Sequence, residues 1–193
     1  LTRTQKRQKE TRANIFRVAM NLFTEKGFDN TTVSEIADAA DIGKGTFFTY
    51  FPTKEAIFSE VGALMMETME TTIKDGLAAD LSVSNILRDT IASPTAWHEA
   101  NKHITQQVIR SHFSMDKDTS NKERLLITLA DLIRVGQDKD ELDADVDSRS
   151  AAIVLAGTYF AVIAFWSMEE GTSLEGKLRA AVDVTLKGLQ KSA

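Results

Sequence analysis

The residues best suited to covalent or metal chemistry do not converge anywhere in this sequence. Gly171-Thr172-Ser173-Leu174-Glu175-Gly176-Lys177 has the spacing of a phosphate-gripping loop, yet Leu178 stands where such a loop needs a hydroxyl for magnesium, and no strand leads into it. It reads as a turn between helices. His98, His103 and His112 offer no pair spaced for one helical face, no glycine-flanked nucleophilic serine is present, and cysteine is absent altogether. Neither an enzyme, nor a bound metal, nor a resident cofactor is expected. The chemistry that remains is charge. Residues 1 to 17 hold Arg3, Lys6, Arg7, Lys9, Arg12 and Arg17 against Glu10 alone, so +5 sits on the first segment of a chain whose formal net charge is −5. Such asymmetry suits a basic arm for phosphates on an acidic body, and it equally suits an ordinary solvated tail.

The elements that must position these charges are helices. Only Pro52 and Pro94 interrupt the 193 residues, and no stretch alternates in the manner of a strand. With 42% hydrophobic residues the chain can bury a real core. Ile15, Val18, Ala19, Leu22 and Phe23 form the first apolar stripe, and Lys26-Gly27-Phe28 closes it as a helix C-terminus closes. Thr32-Val33-Ser34-Glu35 is a capping box that opens a short second helix with Val33, Ile36, Ala37 and Ala40 facing inward. Asp41-Ile42-Gly43 is a tight turn, and Lys44 to Phe51 forms another short helix closed by Pro52. Phe47 and Phe51 share helical spacing with Ile42 and are expected in the core.

A fourth helix should run from Lys54 to Leu77, capped by Thr53, and further helices are expected near Val83 to Ala92, Thr95 to Ser114, Asn121 to Lys139, Asp147 to Glu169 and Leu174 to Lys191. No apolar secretory leader is visible, and the longest apolar run, 151–166, is shorter than the roughly 20 residues of a membrane span. The expectation is a cytoplasmic protein with no membrane contact.

Two short capped helices around a tight turn, supported by a preceding amphipathic helix, make a corner that fits a major groove about 12 Å wide. The segment TTVSEIADAADIGKGTFFTYFPTKEAIF, residues 31–58, closely resembles the DNA-binding region of TetR-family regulators, and the likeness extends over roughly residues 9–69. The resemblance implies an all-α fold with an N-terminal three-helix helix-turn-helix domain (residues 1–53, the motif itself at 32–51) and a C-terminal helical bundle for dimerisation and ligand binding (54–193). It places the DNA contacts on Val33, Ile42, Gly43, Lys44, Gly45, Phe48, Thr49, Tyr50 and Lys54.

The side chains suit those roles. Lys44 can reach a phosphate or the O6/N7 edge of guanine, Thr49 and Tyr50 can hydrogen-bond to DNA, and Gly45 lets the main chain come close. Lys54 would sit at a helix N-terminus, which already favours a phosphate. Phe48 departs from the tyrosine usual in the family, leaving only apolar contact there. Gly43 replaces a more usual polar residue.

The resemblance further implies a homodimer on a palindromic double-stranded DNA operator, with recognition helices about 34 to 36 Å apart. The stretch 151–166 is apolar almost all round and, with the stripe Leu174, Leu178, Ala181, Val182, Thr185 and Leu189, could form an intersubunit four-helix bundle through the last two helices. A helix buried within one subunit would look the same. A small-molecule effector is implied as well, with Met65, Met69, Trp97, His103, Ile104, Phe113 and Phe160 as candidate lining. The implied function is a repressor released by that effector. The alternative is a constitutive DNA-architectural or protein-interaction module that uses the same helices without one.

Overall fold

The computed structural model describes residues 2–113, of which 111–113 by backbone only, and 120–189. All regular structure among them is helical. In order, α1 spans Arg3–Lys26, α2 Val33–Ala39, α3 Lys44–Tyr50, a single 3-10 turn Glu55–Ile57, α4 Phe58–Ala78, α5 Val83–Ala92, α6 Thr95–Ala100, α7 Lys102–Phe113, α8 Ser120–Asp138, α9 Ser148–Met168 and α10 Leu174–Lys187. The chain divides into two compact units. One comprises Leu1–Val61 with His103–Ser114, the other Gly62–Lys102 with Met115–Ala193.

In the first unit, α1 is longer than its apolar stripe. Its polar first half is helical because Thr2 and Gln5 form a capping box of their own, the threonine oxygen accepting from the Gln5 N–H and the glutamine from the Thr2 N–H. The apolar half buries Ile15, Val18, Ala19 and Phe23. Gly27 ends the helix at φ +86°, a backbone setting that side chains resist, and its N–H reaches the Phe23 carbonyl. Phe23, Phe28 and Phe58 then close a ring triangle with centroids 4.9 to 6.0 Å apart. The Thr32–Glu35 capping box is present with both hydrogen bonds. Asp41, at φ 55°, makes the turn between α2 and α3, and the Ile42 N–H is tied to the Ala37 carbonyl.

In the second unit α9 packs on α8 and α10, while α5 packs on α8 and α10. Leu87, Ile91, Leu129, Ile133, Leu155, Ile163, Leu178 and Val182 are all fully buried there. The helix expected from Thr95 to Ser114 is two helices. Asn101 breaks it: its backbone N–H and its side-chain amide both bond to the Trp97 carbonyl, which takes the residue to φ −124°, ψ 44°. The helix expected from Lys54 likewise begins as a 3-10 turn, with the Thr53 hydroxyl capping the Ala56 N–H, before α4 proper starts at Phe58.

The apolar run at 151–166 lies within a helix of 21 residues and mean hydropathy 1.9, so α9 is long and apolar enough to cross a membrane by length and composition. A core helix passes the same test, and α9 buries Ala152, Leu155, Tyr159, Ile163 and Trp166 inside its own unit. Its other side is uncovered: Ile153, Val154, Phe165 and Met168 are exposed, as is Val184 on α10.

Candidate nucleic-acid interface

The corner made by α2 and α3 is held from behind. Phe47 and Phe51 are both fully buried, one turn apart on the inner side of α3, as their spacing predicts. Arg12 of α1 clamps the helix end: its guanidinium donates to the Tyr50 carbonyl at 2.8 Å, pairs with Glu60 at 2.7 Å, and lies 4.5 Å over the Phe51 ring. Asn14 donates to the carbonyl of Ala40 at the end of α2. Lys26 pairs with Glu35, and that hydrogen bond, helped by the Thr32 backbone and hydroxyl, holds the Glu35 carboxyl down to about 2.

With its inner side so fixed, α3 presents its other side to solvent. Gly43, Lys44, Gly45, Phe48 and Thr49 are exposed, and Ile42, Tyr50 and Val33 are half-buried around them. Phe48 is 51% exposed, an aromatic ring that the fold itself does not use for burial. A Cβ on Gly45 would meet nothing within 4 Å. Among the described residues, no neighbour demands a glycine there. The Thr49 hydroxyl donates to the Gly45 carbonyl at 3.0 Å, which commits its proton within the helix.

Lys54 is placed otherwise than a free phosphate ligand. Its ammonium donates to the carbonyls of Phe28 and Thr31 at 2.7 and 2.8 Å and rests 4.1 Å from the Phe28 ring centroid. It therefore ties the α1–α2 loop to the segment that follows α3. The cations of this unit thus sort into two kinds. Arg12, Lys26 and Lys54 are consumed internally; among the described residues Lys44 has no ion-pair or hydrogen-bond partner.

The residues proposed for an effector fall in both units. Met65 and Met69 are buried and Trp97 and Phe160 half-buried in the second, whereas Ile104 is buried and His103 exposed in the first; the Phe113 side chain lies outside the described residues. Sequence reading overlooked the pair between Trp97 and Phe160. His98 Nε2 and the Tyr159 hydroxyl are 2.8 Å apart, both side chains buried, and the rings of Trp97, His98, Tyr159 and Phe160 follow one another at centroid distances of 5.1 to 6.0 Å. The two polar residues lie 61 positions apart, so no local spacing could announce them.

Burial pushes His98 down to about 4 and Tyr159 upward. A histidine lowered from 6.5 leaves the folded state with fewer protons than the unfolded one, so its contribution is intact above pH 6.5 and fades as pH falls toward 4. Chemical denaturation at pH 5 should therefore show about 2 kcal/mol less stability from this group than at pH 7.5. His98→Phe should lose that part of the pH dependence; an unchanged slope in the variant would mean that His98 does not titrate as described.

Residues 15–61 match the family described as bacterial regulatory proteins, tetR family. AcrR of Shigella flexneri, a helix-turn-helix transcriptional regulator, is 25% identical over 175 residues, covering 85% of this chain and 81% of its own length. YuxN of Bacillus subtilis is 47% identical over 49 residues, which is 25% of this chain but only 17% of that protein. FadR of Thermus thermophilus, a TetR-family repressor solved with lauroyl-CoA, superimposes with a TM-score of 0.82 at 26% identity, over 94% of this chain and 97% of its own. Fold, site and relatives together define a helix-turn-helix transcription regulator. Residues 15–61 carry a DNA-binding domain of the TetR family, and over most of its length the chain is similar to regulators of that family.

Proposed function

We propose that this chain is a repressor that binds a palindromic operator as a homodimer and leaves it when a small, largely apolar molecule binds the helical body. The observation that supports it best is the two-sidedness of α3: Phe47 and Phe51 anchor one side, and Gly43, Lys44, Gly45, Phe48 and Thr49 line the other with no partner among the described residues beyond the helix itself. The proposed contacts are those residues with Val33, Ile42 and Tyr50. Lys54 acts chiefly by holding the loop that precedes α2. In this division of labour residues 1–53 bind DNA and residues 54–193 dimerise and respond to the effector.

The uncovered faces of α9 and α10 support dimerisation, because five exposed large apolar side chains on two adjacent helices are what a four-helix interface would cover. The effector reading draws on the row of rings Trp97, His98, Tyr159 and Phe160 with one polar pair in it, and on Met65 and Met69, buried on α4 in the same unit. That a repressor of the same fold was solved with lauroyl-CoA makes an acyl thioester the first compound to try. Helix α4 passes from the first unit to the second at Val61–Gly62 and α7 from the second to the first at Lys102–His103, so a ligand preferring one arrangement of the body could shift the populations of the reading corner through them.

One anisotropy titration against an operator duplex tests both parts. Lys44→Ala should weaken binding by about tenfold to a hundredfold, the loss of about 1–3 kcal/mol for a groove or phosphate contact. Adding lauroyl-CoA to the wild type should release the duplex. Undiminished binding by Lys44→Ala removes α3 as the reading helix, and an acyl thioester that raises thermal stability while operator affinity stays fixed contradicts effector release by that class.

A further inference from the structure

We propose that the polar first half of α1 is a second DNA-contacting element, in which Arg3 and Arg7 bind backbone phosphates flanking the groove read by α3. The inference rests on the DNA-binding reading above and concerns residues outside the helix-turn-helix. Residues 2–10 are exposed all round, so apart from the Thr2–Gln5 box no packing among the described residues holds this stretch helical. A helix of this composition is also electrostatically misplaced: the first turn has no acidic residue, and Arg3, Lys6 and Arg7 crowd the positive end of the helix dipole. An external anion relieves that repulsion.

Direction comes from Asn14, which is fixed to the Ala40 carbonyl where α2 ends and the turn toward α3 begins. Arg7 and Arg3 precede Asn14 by seven and eleven residues, and at 3.6 residues per turn both return to within about 20° of its direction, about 10 and 16 Å further along the axis. The three side chains thus make one line along α1, on the side that meets the end of α2, while Arg12, which meets the end of α3, lies about 160° around the helix. Phosphates follow each strand at about 3.4 Å of rise, so two cations at those distances lie in reach of the backbone beside a groove about 12 Å wide. Lys6 is 4.0 Å from Glu10, whereas among the described residues Arg3 and Arg7 have no ion-pair partner. Lys9, also exposed, points about 140° away from the Asn14 line and serves as the control.

The test is the salt dependence of operator affinity for the wild type, Arg3→Ala/Arg7→Ala, Arg3→Lys/Arg7→Lys and Lys9→Ala. Alanine at exposed helical positions preserves helix propensity, and circular dichroism verifies it. With two phosphate contacts per subunit and two subunits, the double alanine variant should flatten the slope of log K against log salt by about 3 to 4 and weaken binding at least tenfold near 0.1 M salt. The double lysine variant should keep the wild-type slope, and Lys9→Ala should leave it nearly unchanged. Trimming the base pairs that flank the operator should abolish the difference between the wild type and the double alanine variant. A wild-type slope in the double alanine variant overturns this inference alone, as does an equal loss in Lys9→Ala. A wild type that prefers no duplex sequence overturns the operator reading and this inference with it.

Discussion

Replacing Phe47 by alanine is expected to cost the fold about 3–5 kcal/mol, and to abolish operator binding although the side chain never touches DNA. Phe47 is fully buried, with its ring 5.5 Å from Phe48 and 5.9 Å from Phe51, and truncating such a ring leaves a cavity that the surroundings fill only in part. Helix α3 has seven residues, too few to persist without tertiary support, and Gly43 gives it no side-chain cap. The melting temperature should fall by about 10 °C or more. Phe48→Ala is the informative contrast. Its half-exposed ring contributes little to packing, so stability should move by no more than about 0.5 kcal/mol while DNA affinity drops. Equal thermal losses in the two variants would contradict the assignment of an inner and an outer side to α3.

The second large effect concerns α9. Val154→Glu/Phe165→Glu should yield a monomer by light scattering at micromolar concentration and lower operator affinity at least a hundredfold, with the stability of the single chain nearly unchanged. Phe165 is 71% exposed and Val154 55% exposed, so in one subunit the new carboxylates stay in water and cost little. In a dimer packed through this face they are buried without partners, at several kcal/mol each. Losing the partner removes one of two half-sites, which accounts for the fall in affinity. A variant that remains dimeric would place the interface elsewhere.

Local signals made the reading corner legible. Thr32 with Glu35, Gly27 after Lys26, Pro52 after Phe51 and the spacing of Phe47 with Phe51 each have one strong structural meaning, and together they mark two short helices and their inward side. Helix α5 likewise runs Val83–Ala92 as its pattern predicts. Signals that depend on distant partners were not legible. The break at Asn101 hides in an apolar rhythm, Trp97, Ala100 and Ile104, that runs straight through it. Lys54 looks like a surface cation until the carbonyls of Phe28 and Thr31 are brought to it. Helix α9 is apolar on every side, so periodicity alone cannot tell the side covered by α8 and α10 from the side left open. The start of α1 has no apolar rhythm at all; only the Thr2–Gln5 box betrays it.

The central claim is that the outer side of α3 reads base pairs in a major groove, and selection of bound sites from a random duplex pool tests it most directly. The account predicts enrichment of an inverted repeat whose half-site centres lie one helical turn, or a whole multiple of it, apart, with the preference weakened in Lys44→Ala and Tyr50→Ala proteins that keep their helical content. A pool that emerges without a shared sequence, or an inverted repeat recovered unchanged by both variants, would contradict it.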